Sequence, residues 1–142
     1  MSNKKLSSFD RNVTIFVAVF LVVIFSAVII INNTGNINFT LSEEYLKISS
    51  PYWAEYTLSL SDIESVEYNE TDSKGSRTFG FGSAKLLMGS FESGMYGEYT
   101  RYSYTKCKSG IIITLKDGET LIISMPSETE TFDFYQNLNT II

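Results

Sequence analysis

The run of side chains best suited to recognition chemistry is Tyr99, Arg101, Tyr102, Tyr104 and Lys106, where aromatic rings and cations alternate. Two further cations, Arg77 and Lys85, sit in the glycine-rich stretch ahead of it. Rings mixed with cations make a surface that grips a protein, a glycan or a lipid headgroup. Arg77, Lys85, Arg101, Tyr102, Tyr104 and Lys106 therefore form the candidate interaction surface. The competing reading is a half-buried strand whose outer face happens to be basic, which is the commoner arrangement.

Other chemistry is poorly provided for. The chain has no histidine, which removes the usual general base, zinc ligand and pH switch. Gly80-x-Gly82 lacks the third glycine and the βαβ setting of a dinucleotide site. Gly89-Ser90 and Gly94 do not build a nucleophile elbow. The carboxylate pairs Asp62 with Glu64 and Glu67 with Glu70 have the spacing of solvated strand residues. Asn69, Glu70 and Asp72 lack calcium-loop spacing. No catalytic, cofactor-binding or metal-ligating residue is assigned, and the expectation is a protein without enzymatic activity. A lone Cys107 excludes an internal disulfide, and a buried, inert thiol is expected there rather than a link between chains.

The element that must position any such surface comes first in the chain. Val13 to Ile31 is a run of 19 residues without a charge, and Thr14 and Ser26 are its only polar members. At about 1.5 Å per residue it just crosses a hydrocarbon core about 30 Å thick, and in lipid it has to be helical to satisfy its own backbone. It exceeds the 7–15 residues typical of a cleavable signal core and ends in three isoleucines rather than a small-x-small site, so an uncleaved anchor is expected. Lys4, Lys5 and Arg11 precede it against Asp10, whereas Asn32 to Thr40 is uncharged and is followed by Glu43 and Glu44. The positive-inside rule then places the tail, residues 1–12, in the cytoplasm and the rest outside, on the cell membrane.

After a polar linker, residues 32–36, the remaining 37–142 are enough for one domain. Three of the eleven basic residues and one of the sixteen acidic ones precede residue 32, so the part beyond the anchor carries a net −7. That balance disfavours nucleic acid as a partner. Period-2 alternation marks strands at Ile37 to Leu41, Tyr45 to Ile48, Ala54 to Leu60 and Ile63 to Tyr68. Asn69 to Gly97 holds six of the nine glycines interleaved with Phe79, Phe81, Leu86, Leu87, Phe91 and Tyr96, and is expected to form twisted strand segments. Glu98 to Cys107 is a further strand. Ile111 to Leu115 and Glu119 to Met125 flank Lys116-Asp117-Gly118, a hairpin signal. Ser127 to Glu130 fits a capping box, and Phe132, Phe134, Tyr135, Leu138 and Ile142 supply the apolar stripe of a final helix. Seven or eight strands and one helix imply a small antiparallel barrel or sandwich closed by that helix.

This layout resembles the bacterial pleckstrin-homology-like domains carried by small membrane proteins. The likeness runs from about Ile37 to Leu138. It rests on Leu60-Ser61-Asp62-Ile63-Glu64-Ser65-Val66, on Arg77, Gly80-Phe81-Gly82, Met88-Gly89-Ser90-Phe91 and Gly97, on the Ile111 to Ser124 hairpin, and on the helix with Phe132 and Leu138. The resemblance implies a mainly-β fold of two nearly orthogonal antiparallel sheets capped by a C-terminal α-helix. It also implies binding or assembly rather than catalysis. The first strand-to-strand turn is Ser42-Glu43-Glu44, acidic where phosphoinositide-binding relatives carry basic residues, so phosphoinositide binding is not carried over. The helix also lacks the tryptophan frequent in eukaryotic members. The resulting expectation is a single-pass membrane protein that presents the domain to a protein partner or to itself. The alternatives are a module for a small apolar ligand or lipid in the barrel mouth and, less favoured, a carboxylate-based hydrolase.

Overall fold

The computed structural model of the chain describes residues 8–142. The first residues of the expected tail, with Lys4 and Lys5, lie outside those described. The chain divides into two compact units that meet at Thr34 and Gly35.

The first unit carries α1, Ser8–Asn33, 26 residues long with a mean hydropathy of 3.2 in its most apolar window and no buried residue. It is long and apolar enough to cross a membrane. It overruns the uncharged stretch at both ends because polar side chains bond back to carbonyls one turn earlier. Thr14 Oγ1 donates to Asp10 O at 2.8 Å, the Asn32 and Asn33 amides donate to Val28 O and Ile29 O, both at 2.9 Å, and Thr34 Oγ1 donates to Ile30 O at 2.7 Å. Asn32 and Asn33, expected in the linker, therefore finish the helix.

The second unit holds nine strands in two sheets. β1 (Asn38–Leu41), β2 (Tyr45–Ser50) and β3 (Trp53–Ser59) form an antiparallel meander. Its alternation is the one in the sequence: Leu46, Ile48 and Leu58 are buried, while Glu55, Thr57 and Ser59 face solvent. β4 (Ile63–Asn69), β5 (Ser76–Gly82), β6 (Leu86–Ser93), β7 (Gly97–Tyr104), β8 (Gly110–Leu115) and β9 (Thr120–Ile123) form the second sheet in the order β4-β8-β9-β7-β6-β5. One ladder departs from the antiparallel expectation. The β8–β9 hairpin inserts β9 between β8 and β7, so β9 runs parallel to β7, with Thr100 opposite Leu121 and Tyr102 opposite Ile123.

The glycine-rich stretch forms β5 and β6, as twisted strands. Gly80 and Gly89 pair across the ladder with φ of +133° and +120°. A Cβ on Gly80 would lie 2.1 Å from Met88 O, and one on Gly89 would lie 2.3 Å from Phe79 O. Only glycine permits this approach.

The two sheets enclose one core in which Leu46, Ile48, Leu86, Met88, Ile111, Ile113, Leu121, Ile123 and Leu138 are fully buried. α2, Glu128–Ile141, starts at Ser127, whose Oγ accepts from Glu130 N at 3.3 Å. The Glu130 carboxylate reaches back to the Ser127 hydroxyl at 3.1 Å. α2 packs on β4 and β8 and closes one seam of the barrel. Phe134 meets Phe39 of β1 at 5.7 Å between ring centres, and Tyr68 of β4 meets Phe132 at 5.1 Å and Tyr135 at 5.7 Å. The opposite seam, between β3 and β5, is closed by aromatic pairs, Tyr52 with Phe81 at 5.0 Å and Trp53 with Phe79 at 5.4 Å.

Candidate functional site

β4 and β5 occupy opposite edges of the larger sheet, so residues 70–75 must pass from edge to edge. They cross the face that carries Arg101, which is the face turned away from the main core. β7 alternates across the sheet: Tyr102 and Tyr104 enter the core, whereas Tyr99 joins Phe91, Ile112 and Ile122 in a second buried cluster. The crossing segment is pinned there. Asp72 accepts two bonds from Arg101, Nη1 to Oδ2 at 2.6 Å and Nη2 to Oδ1 at 2.9 Å. Asp72 N donates to Lys108 O at 2.7 Å, Tyr99 Oη donates to Lys74 O at 2.7 Å, and Lys74 Nζ donates to Cys107 O.

The Arg101 guanidinium has no exposed surface, and its centre lies 5.5 Å from the Phe91 ring centre and 5.4 Å from that of Tyr99. Nε alone has no hydrogen-bond partner. Burial would raise the Asp72 carboxyl, but the Arg101 hydrogen bonds and charge, helped by Lys74, hold it below the usual carboxylate range. Burial likewise works to lower the Arg101 guanidinium, and Asp72 and Tyr99 push it up instead.

The six expected surface residues do not form one exposed face. Arg101, Tyr102 and Tyr104 are 0%, 2% and 5% exposed, which removes them from any contact surface. Their alternation spends Tyr102 and Tyr104 on the core, where their hydroxyls bond Ala54 O and the Ile37 backbone. Arg101 is spent on Asp72. Of the other three, Arg77 is exposed with its guanidinium against Gly82, Lys85 is half-buried and donates to Asn36 Oδ1 at 2.8 Å, and Lys106 is exposed after β7. Asp62, Glu64, Glu67 and Glu70 are exposed, and Cys107 is buried beside Ser109 and Thr131.

An open groove of about 630 Å³ lies elsewhere, lined by Phe79, Ser90, Glu98, Thr100, Asp117 and Glu119 among others. Ser90, Glu98, Thr100 and Glu119 share by alternation the face of Met88, Tyr102 and Leu121. The groove is thus the barrel mouth, where the inner face of the larger sheet runs past the buried core. Its lining is hydroxyls and carboxylates with Phe79, which is 70% exposed, at the rim. Tyr56 stands beside it: burial first, then the Glu119 and Asp117 charges, raise its phenol above the ordinary value. None of these mouth residues formed a pattern in the sequence, because they come from β5, β6, β7 and the β8–β9 turn. The one local signal is the Lys116-Asp117-Gly118 turn that presents Asp117.

An apolar helix followed by a two-sheet barrel capped by a C-terminal helix defines the class of protein. The family model described as a bacterial PH domain matches residues 37–139. The chain belongs to that family, whose members are generally non-catalytic modules. Neither a curated protein nor a solved structure matches the chain.

Proposed function

We propose that this chain is a single-pass membrane protein that presents its bacterial PH domain for protein binding or self-assembly at the membrane surface, without catalysis. The observation that carries this reading is the immediate succession of the two units. α1 ends at Asn33 and β1 starts at Asn38, so a complete domain follows an anchor-length helix with only residues 34–37 between them. Such a domain meets its ligand beside the bilayer. The basic residues ahead of the helix support an extracytoplasmic position for the domain. The β1–β2 turn is closed by Ser42 and Tyr45 around Glu43 and Glu44, which gives a phosphoinositide headgroup no cation.

Chemical crosslinking in native membranes followed by mass spectrometry tests this function. The reading expects crosslinks from the domain to a second protein or to another copy. Membranes that yield neither contradict it.

A further inference from the structure

Arg77, Lys85 and Lys106 stay outside the core, and the fold gathers them at one turn. The Arg77 guanidinium lies against Gly82, the last residue of β5. Lys85 N donates to Ser83 Oγ at 3.1 Å within the β5–β6 turn. Thr105 holds Lys106 to the same turn: its N–H donates to Lys85 O at 2.9 Å and its hydroxyl to Ser83 O at 3.2 Å. Residues 73–91 and 99–116, which supply these groups, contain no Asp or Glu. The carboxylates at this end of the barrel, Glu128 and Glu130, are taken up at the start of α2 by the Lys108 N–H at 3.0 Å and the Ser127 hydroxyl at 3.1 Å. The opposite end is acidic. There Leu60 N donates to Glu44 O and Lys116 N to Asp62 O, which brings to one end the turns that carry Glu43, Glu44, Asp62, Asp117 and Glu119.

The path of the chain is an independent observation. Gly35 is covered by the Tyr52 ring, since a Cβ there would lie 2.4 Å from Tyr52 Cε2, and Tyr52 stacks on Phe81 of β5. Asn36 Oδ1 accepts from Lys85 Nζ at 2.8 Å, and Ile37 N donates to Tyr104 Oη at 3.0 Å. The segment that enters the domain is thus fastened to the basic turn. Gly35 follows Ile31, the end of the uncharged run, by four positions, a covalent reach of at most about 14 Å. The polar layer of a bilayer is itself roughly 5–7 Å deep on each side. The tether therefore keeps this turn, before any other part of the domain, within reach of the headgroups.

We infer that the β5–β6 turn docks on the bilayer that holds the anchor, with Arg77, Lys85 and Lys106 on the phosphates of anionic phospholipids and the acidic end turned away. This rests on the anchor in the reading above and adds a lipid surface as a ligand. Each cation beside an anionic surface favours the docked state about fivefold. The far-end carboxylates oppose the inverted orientation.

The test places the full chain in nanodiscs of phosphatidylcholine with or without phosphatidylglycerol. A fluorophore on Ala84→Cys, in the turn, or on Glu43→Cys, at the far end, is quenched by nitroxide-bearing headgroups, while the native Cys107 is buried. Quenching at position 84 rises at least about threefold with phosphatidylglycerol, and raised salt removes the gain. Position 43 shows no gain. The variant Arg77→Gln, Lys85→Gln, Lys106→Gln, folded by circular dichroism, loses the gain, and the charge-keeping variant Arg77→Lys, Lys85→Arg, Lys106→Arg retains it. No gain in the native chain, an undiminished gain in the glutamine variant, or stronger quenching at position 43 overturns the proposal. A gain abolished by inorganic phosphate at constant ionic strength marks a site for free phosphate and overturns the lipid assignment. In native membranes, a photo-crosslinking amino acid at Ala84 yields lipid adducts. Protein adducts alone overturn the lipid surface and leave the protein-binding reading intact. A chain that does not float with the nanodiscs removes the anchor and this inference together.

Discussion

Arg101 of β7 and Asp72 of the β4–β5 connection, 29 residues apart, form a two-bond ion pair at 2.6 and 2.9 Å in which neither side chain is more than 3% exposed. The pair ties the edge-to-edge connection between β4 and β5 to the middle of the larger sheet. The segment thereby covers a sheet face that an antiparallel sheet often leaves to water. A buried ion pair need not be a net source of stability, but breaking one leaves an uncompensated charge.

Asp72→Ala is therefore expected to cost about 3–5 kcal/mol, whereas Asp72→Ala combined with Arg101→Met recovers most of that loss. Urea unfolding of the full chain in detergent, followed by the fluorescence of the single tryptophan, Trp53, measures both. A double variant as unstable as the single one would show that the pair is not the cause.

The same pair sets an acid limit. The Asp72 carboxyl is depressed in the folded chain: burial opposes this, and Arg101 and Lys74 outweigh it. The stability it contributes is fully present above the unfolded carboxylate value of about 3.9. It is lost as pH falls from there through the depressed native value. The native chain should lose more stability below that pH than Asp72→Asn does, as read from urea midpoints across the acid range.

Gly80 and Gly89 face each other at a distance that excludes a Cβ. Gly80→Ala or Gly89→Ala should each destabilise by roughly 2 kcal/mol or more, through a steric clash added to a positive φ. Gly94, with nothing within 4 Å of an added Cβ, is the control expected to tolerate alanine. Urea midpoints of the three variants test the contrast.

Cys107 is 1% exposed, with Sγ within 3.5 Å of Ser109 and Thr131 oxygens. A water-soluble maleimide should label it only after unfolding, with one equivalent incorporated in urea and almost none in the native chain. Mass spectrometry of the labelled protein reads the difference.

Much of this architecture was legible in the residues. The uncharged run gave α1, the alternation around Leu46 and Leu58 gave the first meander, and the Lys116-Asp117-Gly118 signal gave the β8–β9 hairpin. Ser127 and Glu130 marked the start of α2. The candidate surface was not legible, because alternation states which residues share a face but not what covers that face. Tyr99 and Arg101 do share one, and its cover comes from Asp72, far off in sequence. A hint existed in Ile111-Ile112-Ile113 and Leu121-Ile122-Ile123, unbroken apolar runs of the kind found where both faces of a sheet are buried. The barrel mouth had no such hint, since separate strands and one turn assemble it.

The central claim is an anchored domain displayed outside the cytoplasm. Glu43 lies exposed in the β1–β2 turn, and the native Cys107 is buried, so Glu43→Cys reports its own location. Intact cells are treated with a membrane-impermeant maleimide and the membrane fraction is assayed for label. The account predicts labelling of Glu43→Cys in intact cells, with the labelled chain retained in alkali-washed membranes. Labelling that requires cell lysis, or a labelled chain released into the soluble fraction, would contradict it.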